Sequence, residues 1–424
     1  MVSAGLSARA SAASILVSAG EASGDLYASH LVEALRQRRP DLTFAGCAGP
    51  RMQAAGVEAV VDQADLNVVG LFEVVHHIPR IWGEYRRLLA WARENRPEAA
   101  ILTDSPDFHL RLAHQLRKLG IPVIYFIAPQ VWAWRKGRLP AMRRNLKRLL
   151  CIFPFEEDFF TAHGVPAIYI GHPLTRIVRP SAPACELREQ FGIPPGATAI
   201  ALLPGSRPGE AFRHLPHLID AAERIRARRP DARFLLALAP GFSHRADLAS
   251  KRRHNGADRQ LHSASRVGGS ALCQLASFRE RFSAASVQLV EGRTWDVLAC
   301  SDLALAASGT VTVEAALLGA PMITFYRVTW LSWVLGKPLV RVPFYSMVNL
   351  IAGKKIVPEI MQGDANGPRL AAEALALLDN SAALAEMRAG LATVRDSLSG
   401  DADPVESAAD IVESYLQKEP VHVP

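Results

Sequence analysis

Short β-rich runs, mostly apolar, alternate along the chain with longer stretches in which apolar residues return every three or four positions. In the first half the runs fall at 15–17, 43–46, 99–103, 123–127, 149–153 and 167–170, with helical periods over about 25–38 and 108–119 and another after Gly49-Pro50. A strand buried on both faces reads as a continuous apolar run, and strands separated by helices predict a parallel, doubly wound sheet. A second series follows at 199–203, 233–239, 287–290, 303–306 and 322–326, with helical periods over about 210–228 and 310–319. Residues 173–197, which include Pro173, Pro180, Pro183, Pro194 and Pro195, read as a linker between the series. The pattern therefore predicts two Rossmann-like α/β domains, 15–172 and 198–365, facing a cleft. Residues 1–14 read as a disordered tail, and 241–286, rich in Ser, Arg, His and Gly, as a surface insertion. The Ala- and Leu-rich stretch 366–424 reads as C-terminal helices, packed back on the first domain or exchanged in a dimer.

Composition narrows this picture only slightly. A chain of 424 residues is too long for one core. With 49% hydrophobic and 21% charged residues it is ordinary for a globular protein. A formal net charge of +7 favours an anionic partner, whether nucleic acid, phosphorylated substrate or acidic membrane. Five scattered cysteines, with no C-x-x-C pair, argue against a disulfide scaffold or zinc site and fit a reducing compartment. The 13 histidines are dispersed and no H-E-x-x-H occurs, so no metal site is expected. No apolar run reaches the length of about 18 residues that a membrane span needs, and 1–14 lacks the apolar core of a signal peptide.

Candidate chemistry sits where strands end. The run 15–17 leads into Ser18-Ala19-Gly20-Glu21-Ala22-Ser23-Gly24-Asp25, a small-residue turn at a helix start. In open α/β sheets that edge holds ligands. G-x-G-x-x-G is absent and a carboxylate stands where a pyrophosphate would want none, so Glu21 faces something other than a nucleotide. The strand 99–103 runs into Asp104-Ser105-Pro106-Asp107-Phe108. Asp107 is the natural N-cap, which leaves Asp104 to act as a base; an ordinary turn role for both is the plain alternative. Pro129-Gln130-Val131-Trp132-Ala133-Trp134-Arg135 can stack on a sugar, enter a lipid or pack a seam, and His172 in Gly171-His172-Pro173 is catalytic or hinge-adjacent.

In the second domain, Ser308-Gly309-Thr310 opens a helix after a buried run, with Glu314 one turn in. Free N–H donors, a hydroxyl and the helix dipole suit a diphosphate, and Glu314 a ribose; a plain cap and a solvated Glu is the alternative. Pro204-Gly205-Ser206-Arg207 ends another strand, where the guanidinium of Arg207 suits phosphate oxygens or is a surface arginine, and Glu210 caps the next helix. Asn349, in an apolar loop, bonds a nucleotide or caps a helix. Residues 68–82 carry more apolar side chains than one buried helix face needs, with Arg86, Arg87 and Arg93 behind them, as an interfacial segment requires; an amphipathic core helix is the alternative, and Trp330–Leu335 is a second candidate.

These segments together resemble the lipid-A-disaccharide synthases, glycosyltransferases of the two-domain GT-B architecture, from about residue 15 to 415. The carriers are the 18–25 motif, Ala48-Gly49-Pro50-Arg51-Met52, Asp104-Ser105-Pro106-Asp107-Phe108, Val131-Trp132-Ala133-Trp134, Phe153-Pro154-Phe155-Glu156, Leu203-Pro204-Gly205-Ser206-Arg207, Ala307-Ser308-Gly309-Thr310 and Asn349-Leu350-Ile351-Ala352-Gly353. Each is weak alone; eight in order are specific. The resemblance implies inverting, metal- and cofactor-independent transfer from UDP-2,3-diacylglucosamine to 2,3-diacylglucosamine 1-phosphate (lipid X), giving the lipid A disaccharide 1-phosphate and UDP. It places the enzyme in lipid A biosynthesis, cytoplasmic and peripheral on the inner face of a Gram-negative cytoplasmic membrane. Asp104 matches the family's essential aspartate, Arg207 its arginine and Asn349 its asparagine. Glu21 matches a cleft carboxylate, and Ser206, Arg207, Ser308, Gly309, Thr310 and Glu314 the groups that hold UDP. A dimer through the C-terminal part is also implied. Departures are Val348 in place of a proline, the 241–286 insertion and the extension 1–13.

Two other classes share parts of this pattern. A UDP-N-acetylglucosamine 2-epimerase would hold UDP in the same domain but needs no lipid-facing surface. A nucleotide-sugar binding module would keep UDP affinity without releasing UDP from a donor and acceptor. Nucleic-acid binding is disfavoured, since the positive charge is dispersed and no recognised module appears.

Overall fold

The computed structural model describes residues 13–66, 71–240, 242, 279–328, 342–400 and 402–416, and for 71–78 and 279–280 the backbone alone. Two compact units divide the described residues: one of 13–176 with 398–416, the other of 177–328 with 342–397. Each is built on one parallel sheet.

The first unit orders its seven strands β3-β2-β1-β4-β5-β6-β7. They are β1 (Ser14–Ala19), β2 (Thr43–Ala48), β3 (Val57–Asp62), β4 (Ala99–Thr103), β5 (Val123–Phe126), β6 (Arg148–Cys151) and β7 (Ala167–Tyr169). All pairings are parallel, with Leu16 of β1 beside Ala45 on one side and Ala100 on the other. The central strands are buried nearly throughout because helices cover both faces. Ile15, Leu16, Val17, Ala99, Ile101 and Leu102 are all fully buried. Helix Pro106–Lys118 buries Leu112, Ala113 and Leu116 on the sheet, each large aliphatic chain stabilising by about 1.5–3 kcal/mol.

The second unit orders six strands β10-β9-β8-β11-β12-β13. They are β8 (Ala199–Leu203), β9 (Arg233–Leu238), β10 (Val287–Glu291), β11 (Leu303–Ala307), β12 (Met322–Tyr326) and β13 (Glu359–Met361). Helix Pro208–Arg228 buries Ala211, Leu215, Leu218, Ile219, Ala222 and Ile225, one face at helical spacing, against this sheet. In both sheets the chain adds strands in one direction and then restarts on the other side of the first strand. The reversal falls between β1 and β4 in the first unit and between β8 and β11 in the second. Ligands of doubly wound sheets sit outside the carboxyl ends of the strands at such a reversal.

Several details differ from the pattern read off the sequence. Strands β3 and β13 were not expected. β3 is an edge strand exposing Glu58 and Ala59, and β13 has three residues, so neither shows a sustained apolar run. Ser14 belongs to β1 rather than to a tail; residues 1–12 lie outside the described residues. The proline-rich 173–197 is not structureless, since it carries helices Leu174–Ile177 and Ala184–Gln190. Ser181 also bonds Asp296 through both its N–H and its hydroxyl. Of 241–286, nearly all lies outside the described residues; helix Arg279–Ala284 at its end pairs Arg281 with Glu223 at 2.7 Å. Residues 330–335 also lie outside them. The C-terminal stretch forms helices Gly367–Leu378, Ser381–Leu398 and Pro404–Leu416. The last packs in the first unit against helix Ala22–Arg38, where Arg38 meets Glu406, Asp410 and Glu413.

Candidate active site

At the reversal of the first sheet the turns after β1 and β4 interlock. Asp104 accepts the Gly20 N–H on Oδ1 at 2.7 Å and the Glu21 N–H on Oδ2 at 2.9 Å. Glu21 is the N-cap of helix Ala22–Arg38, so these donors are the exposed amides of a helix start. The contact explains the small residues of the motif. A Cβ on Gly24 would lie 1.9 Å from Asp104 Oδ2, and one on Gly20 would lie 2.2 Å from Ser105 Oγ. Burial pushes the Asp104 carboxyl well above the usual carboxylate range, and the Glu21 charge adds to this; the two N–H bonds pull the other way. The side chain remains 15% exposed, so it is reachable from solvent.

Other carriers of the motif pattern are structural. Asp25 is buried and accepts from the N–H groups of Gly49, Arg51 and Met52 at 2.9–3.1 Å, capping helix Pro50–Ala54 from another element. The Trp132 indole donates to Glu156 at 3.0 Å, and the second Glu156 oxygen accepts the Ile152 and Phe153 N–H groups. Burial raises that carboxyl to about 7. Trp134 is exposed, with the Arg135 guanidinium 4.3 Å over its ring. Asp107 is not the N-cap it was expected to be. Ser105 holds that position, and Asp107 sits in the first turn bound to Arg135 and Arg138. His172 is buried, held neutral at about 3 by that burial, with Tyr27 and Phe153 against its ring. Its N–H donates to the Leu398 carbonyl, near where the chain re-enters this unit.

The reversal of the second sheet brings Ser206-Arg207 and Ser308-Gly309-Thr310 to the ends of the neighbouring strands β8 and β11. Arg207 is the N-cap of helix Pro208–Arg228; it and Ser206 are exposed. Its charge reaches the Tyr326 phenol at the end of β12, opposing the burial and the Glu210 charge that push that phenol up to about 12. Gly205 has φ +110°, and a Cβ there would strike Glu210 at 2.5 Å, which fixes this turn against the helix. Gly309 and Thr310 are exposed at the start of helix Thr310–Leu317, and the Ser308 hydroxyl donates to the Tyr345 carbonyl at 3.0 Å. Glu314 is not a solvated surface group. It accepts from the Trp295 indole at 2.9 Å, and burial raises its carboxyl.

Asn349 corrects the expectation of an amide turned toward a nucleotide. It is fully buried, and all four of its hydrogen-bonding positions are used within the unit. Nδ2 donates to the Val357 carbonyl and to Glu359 Oε1, while Oδ1 accepts from the Ile356 and Val357 N–H groups, all at 2.8–3.0 Å. Glu359 in turn accepts the N–H groups of Tyr345 and Ser346, so Asn349 sets the loop whose Tyr345 carbonyl receives Ser308. Glu359 and Trp295 were missed at the sequence level because their partners are distant in the chain. Tyr125, bonded to the Asp104 carbonyl, was missed for the same reason, and His109, bonded to that carbonyl and to distant Ser18, was missed although it directly follows the 104–108 motif.

Two doubly wound parallel units followed by helices, each with polar groups collected at its strand reversal, define the GT-B architecture. The crystal structure of UDP-GlcNAc 2-epimerase from Neisseria meningitidis bound to UDP-GlcNAc is similar with a TM-score of 0.57, covering 96% of this chain and 100% of that one. At 11% identity that likeness shows the fold alone. The profile of the lipid-A-disaccharide synthetase family matches residues 15–402. The lipid-A-disaccharide synthase of Solibacter usitatus is 54% identical over 364 residues, 86% of this chain and 87% of that protein. That of Anaeromyxobacter dehalogenans (strain 2CP-1 / ATCC BAA-258) is 44% identical over 369 residues, 87% and 89% of the two chains. This chain belongs to the lipid-A-disaccharide synthase family.

Proposed function

We propose that this enzyme transfers 2,3-diacylglucosamine from its UDP conjugate to the 6-hydroxyl of lipid X, with inversion, in lipid A biosynthesis. The observation that carries the reading is the division of chemistry between the two strand reversals. The first unit offers a carboxylate that can take a proton; the second offers an arginine and a helix start suited to a diphosphate. Asp104 is the base on the acceptor hydroxyl, with Glu21 beside it tuning its proton affinity. Arg207, Ser206 and the N–H groups at Gly309 and Thr310 receive the charge that develops on the departing UDP, whereas the Ser308 N–H and hydroxyl are engaged by the Phe325 and Tyr345 carbonyls and hold the turn. Glu314, with one oxygen engaged by Trp295, keeps the other for the ribose. Asn349 acts through Glu359 on the loop beside Ser308. In-line displacement needs one base and leaving-group stabilisation, with no covalent enzyme intermediate.

Both substrates carry acyl chains, and helix Leu71–Asn95 supports a membrane-facing reading of the first unit. Trp82 is 47% exposed on it, with the Arg86 guanidinium 5.6 Å over its ring and Arg87 exposed nearby. An aromatic ring beside cations suits an anionic headgroup layer. No helix among the described residues is long and apolar enough to cross a membrane. We therefore place the enzyme peripherally on the inner face of the cytoplasmic membrane.

The reading is tested with Asp104→Asn and Arg207→Ala. Each is expected to keep its fold, and Asp104→Asn to keep UDP affinity, while disaccharide formation falls by about 10³-fold or more. Near-normal turnover in either variant removes that residue from the mechanism.

A further inference from the structure

Asp104 and Ser105 are consecutive non-glycine residues in left-handed backbone, with φ of 56° and 37°. Residues with a Cβ hold that conformation only where their surroundings over-determine it. Here the surroundings grip the Asp104 main-chain carbonyl. It accepts from the Tyr125 hydroxyl, at the heart of β5, and from His109 Nδ1 at 2.9 Å, one turn into the following helix. Both donors are fully buried. A carbonyl can only accept, so Nδ1 carries the proton and Nε2 is bare. Nε2 then accepts from the Ser18 hydroxyl of β1 at 2.7 Å. Burial holds the imidazole at about 4, so this neutral tautomer is kept near neutral pH.

The ends of three neighbouring strands are thus tied through one peptide group. β5 and the helix hold its oxygen, β1 holds the imidazole, and the turn after β1 holds the carboxylate through Gly20 and Glu21. His109 is no proton relay, because Nδ1 lies 4.0 Å from the nearest Asp104 carboxylate oxygen, beyond hydrogen-bond reach. We infer that Tyr125, His109 and Ser18 are positioning residues for the transfer, acting through the Asp104 main-chain carbonyl to hold its carboxylate against the Gly20 and Glu21 amides. The inference rests on Asp104 being the base. Turning the 104–105 peptide to an ordinary conformation would break both carbonyl bonds and swing the carboxylate off its two N–H donors.

The test is steady-state kinetics and pH profiles of the full-length enzyme carrying Tyr125→Phe, which removes one hydroxyl and no ring volume, His109→Leu and His109→Asn. Tyr125→Phe and His109→Leu are expected to lower kcat by about 10-fold to 100-fold with KM nearly unchanged, as for a misplaced catalytic group. The acidic limb of kcat/KM should move to higher pH, since the carboxylate loses N–H bonds that favour its charged form. His109→Asn, whose amide nitrogen occupies the place of Nδ1, should recover most of the loss. Wild-type kcat and an unmoved limb in folded Tyr125→Phe and His109→Leu, with Asp104→Asn inactive, would overturn the inference alone. A fall in kcat with an unmoved limb would overturn it too, as a general loss of structure. Turnover retained in Asp104→Asn would instead remove the base assignment itself.

Discussion

At the scale of single residues, the account depends on how a carboxylate is presented. Asp104 is accessible enough to meet a hydroxyl and buried enough to have a raised proton affinity. A base must be ionised, so activity should fall as pH drops through the Asp104 pKa, which lies above the ordinary carboxylate range. Glu21 contributes to that elevation by like-charge repulsion. Glu21→Gln should therefore move the acidic limb of kcat/KM to lower pH, read from a pH–rate profile; a limb that stays in place would detach Glu21 from the base. Asn349 makes a different prediction. It is saturated with bonds inside the unit, so Asn349→Ala strands the Ile356 and Val357 amides and leaves Glu359 Oε1 with the Ser346 N–H as its remaining donor. A loss of about 3 kcal/mol or more in unfolding free energy is expected by chemical denaturation, together with weaker UDP binding. Full stability with selective loss of kcat would point instead to a direct catalytic amide. The placement of Asp104, Glu21 and Arg207 just beyond strand ends was legible in the sequence because each follows a recognisable buried run. The role of Asn349 was not, because its three partner residues, Ile356, Val357 and Glu359, lie seven to ten residues away in a stretch with no period of its own.

At the scale of elements, strands and their turns were easier to read than edges and connections. Central strands such as β4 and β8 are buried at every position, whereas the edge strand β3 exposes Glu58, Ala59 and Asp62 and β13 is too short to show a pattern. The expected cap at Asp107 failed for a local reason. Pro106 occupies the first helical position, so the cap moves back to Ser105, and Asp107 is left to bind Arg135 and Arg138. Helix Leu71–Asn95 buries Tyr85, Leu88, Leu89 and Ala92 on one face and exposes Trp82, Arg86 and Arg87 beside it. Trp82→Ser should lower co-sedimentation with anionic lipid vesicles by about 5-fold to 10-fold, as loss of buried aromatic area in the headgroup layer predicts, and leave the melting temperature nearly unchanged. Equal binding by the variant would place the lipid contact elsewhere on the surface.

At the scale of the whole molecule, two sheets with the same reversal of strand order present different side chains there. Fold alone does not separate a glycosyltransferase from an epimerase, since the epimerase from Neisseria meningitidis has this architecture at 11% identity. Sequence kinship separates them, and it falls with the lipid-A-disaccharide synthases across nearly the whole chain. Different groups stand at the two reversal points: a carboxylate between β1 and β4, an arginine and a helix start between β8 and β11. The alternation of runs and helices was enough to anticipate both sheets. The pairing of distant residues at those edges, such as Tyr125 with Asp104 or Trp295 with Glu314, depends on strand order and leaves no local trace. The most direct measurement is incubation of the purified protein with UDP-2,3-diacylglucosamine and lipid X, with products followed by mass. Wild-type protein should release UDP and a tetra-acylated disaccharide monophosphate in equal amounts, and Asp104→Asn neither. UDP release without disaccharide, or disaccharide formed equally by both proteins, would contradict the account.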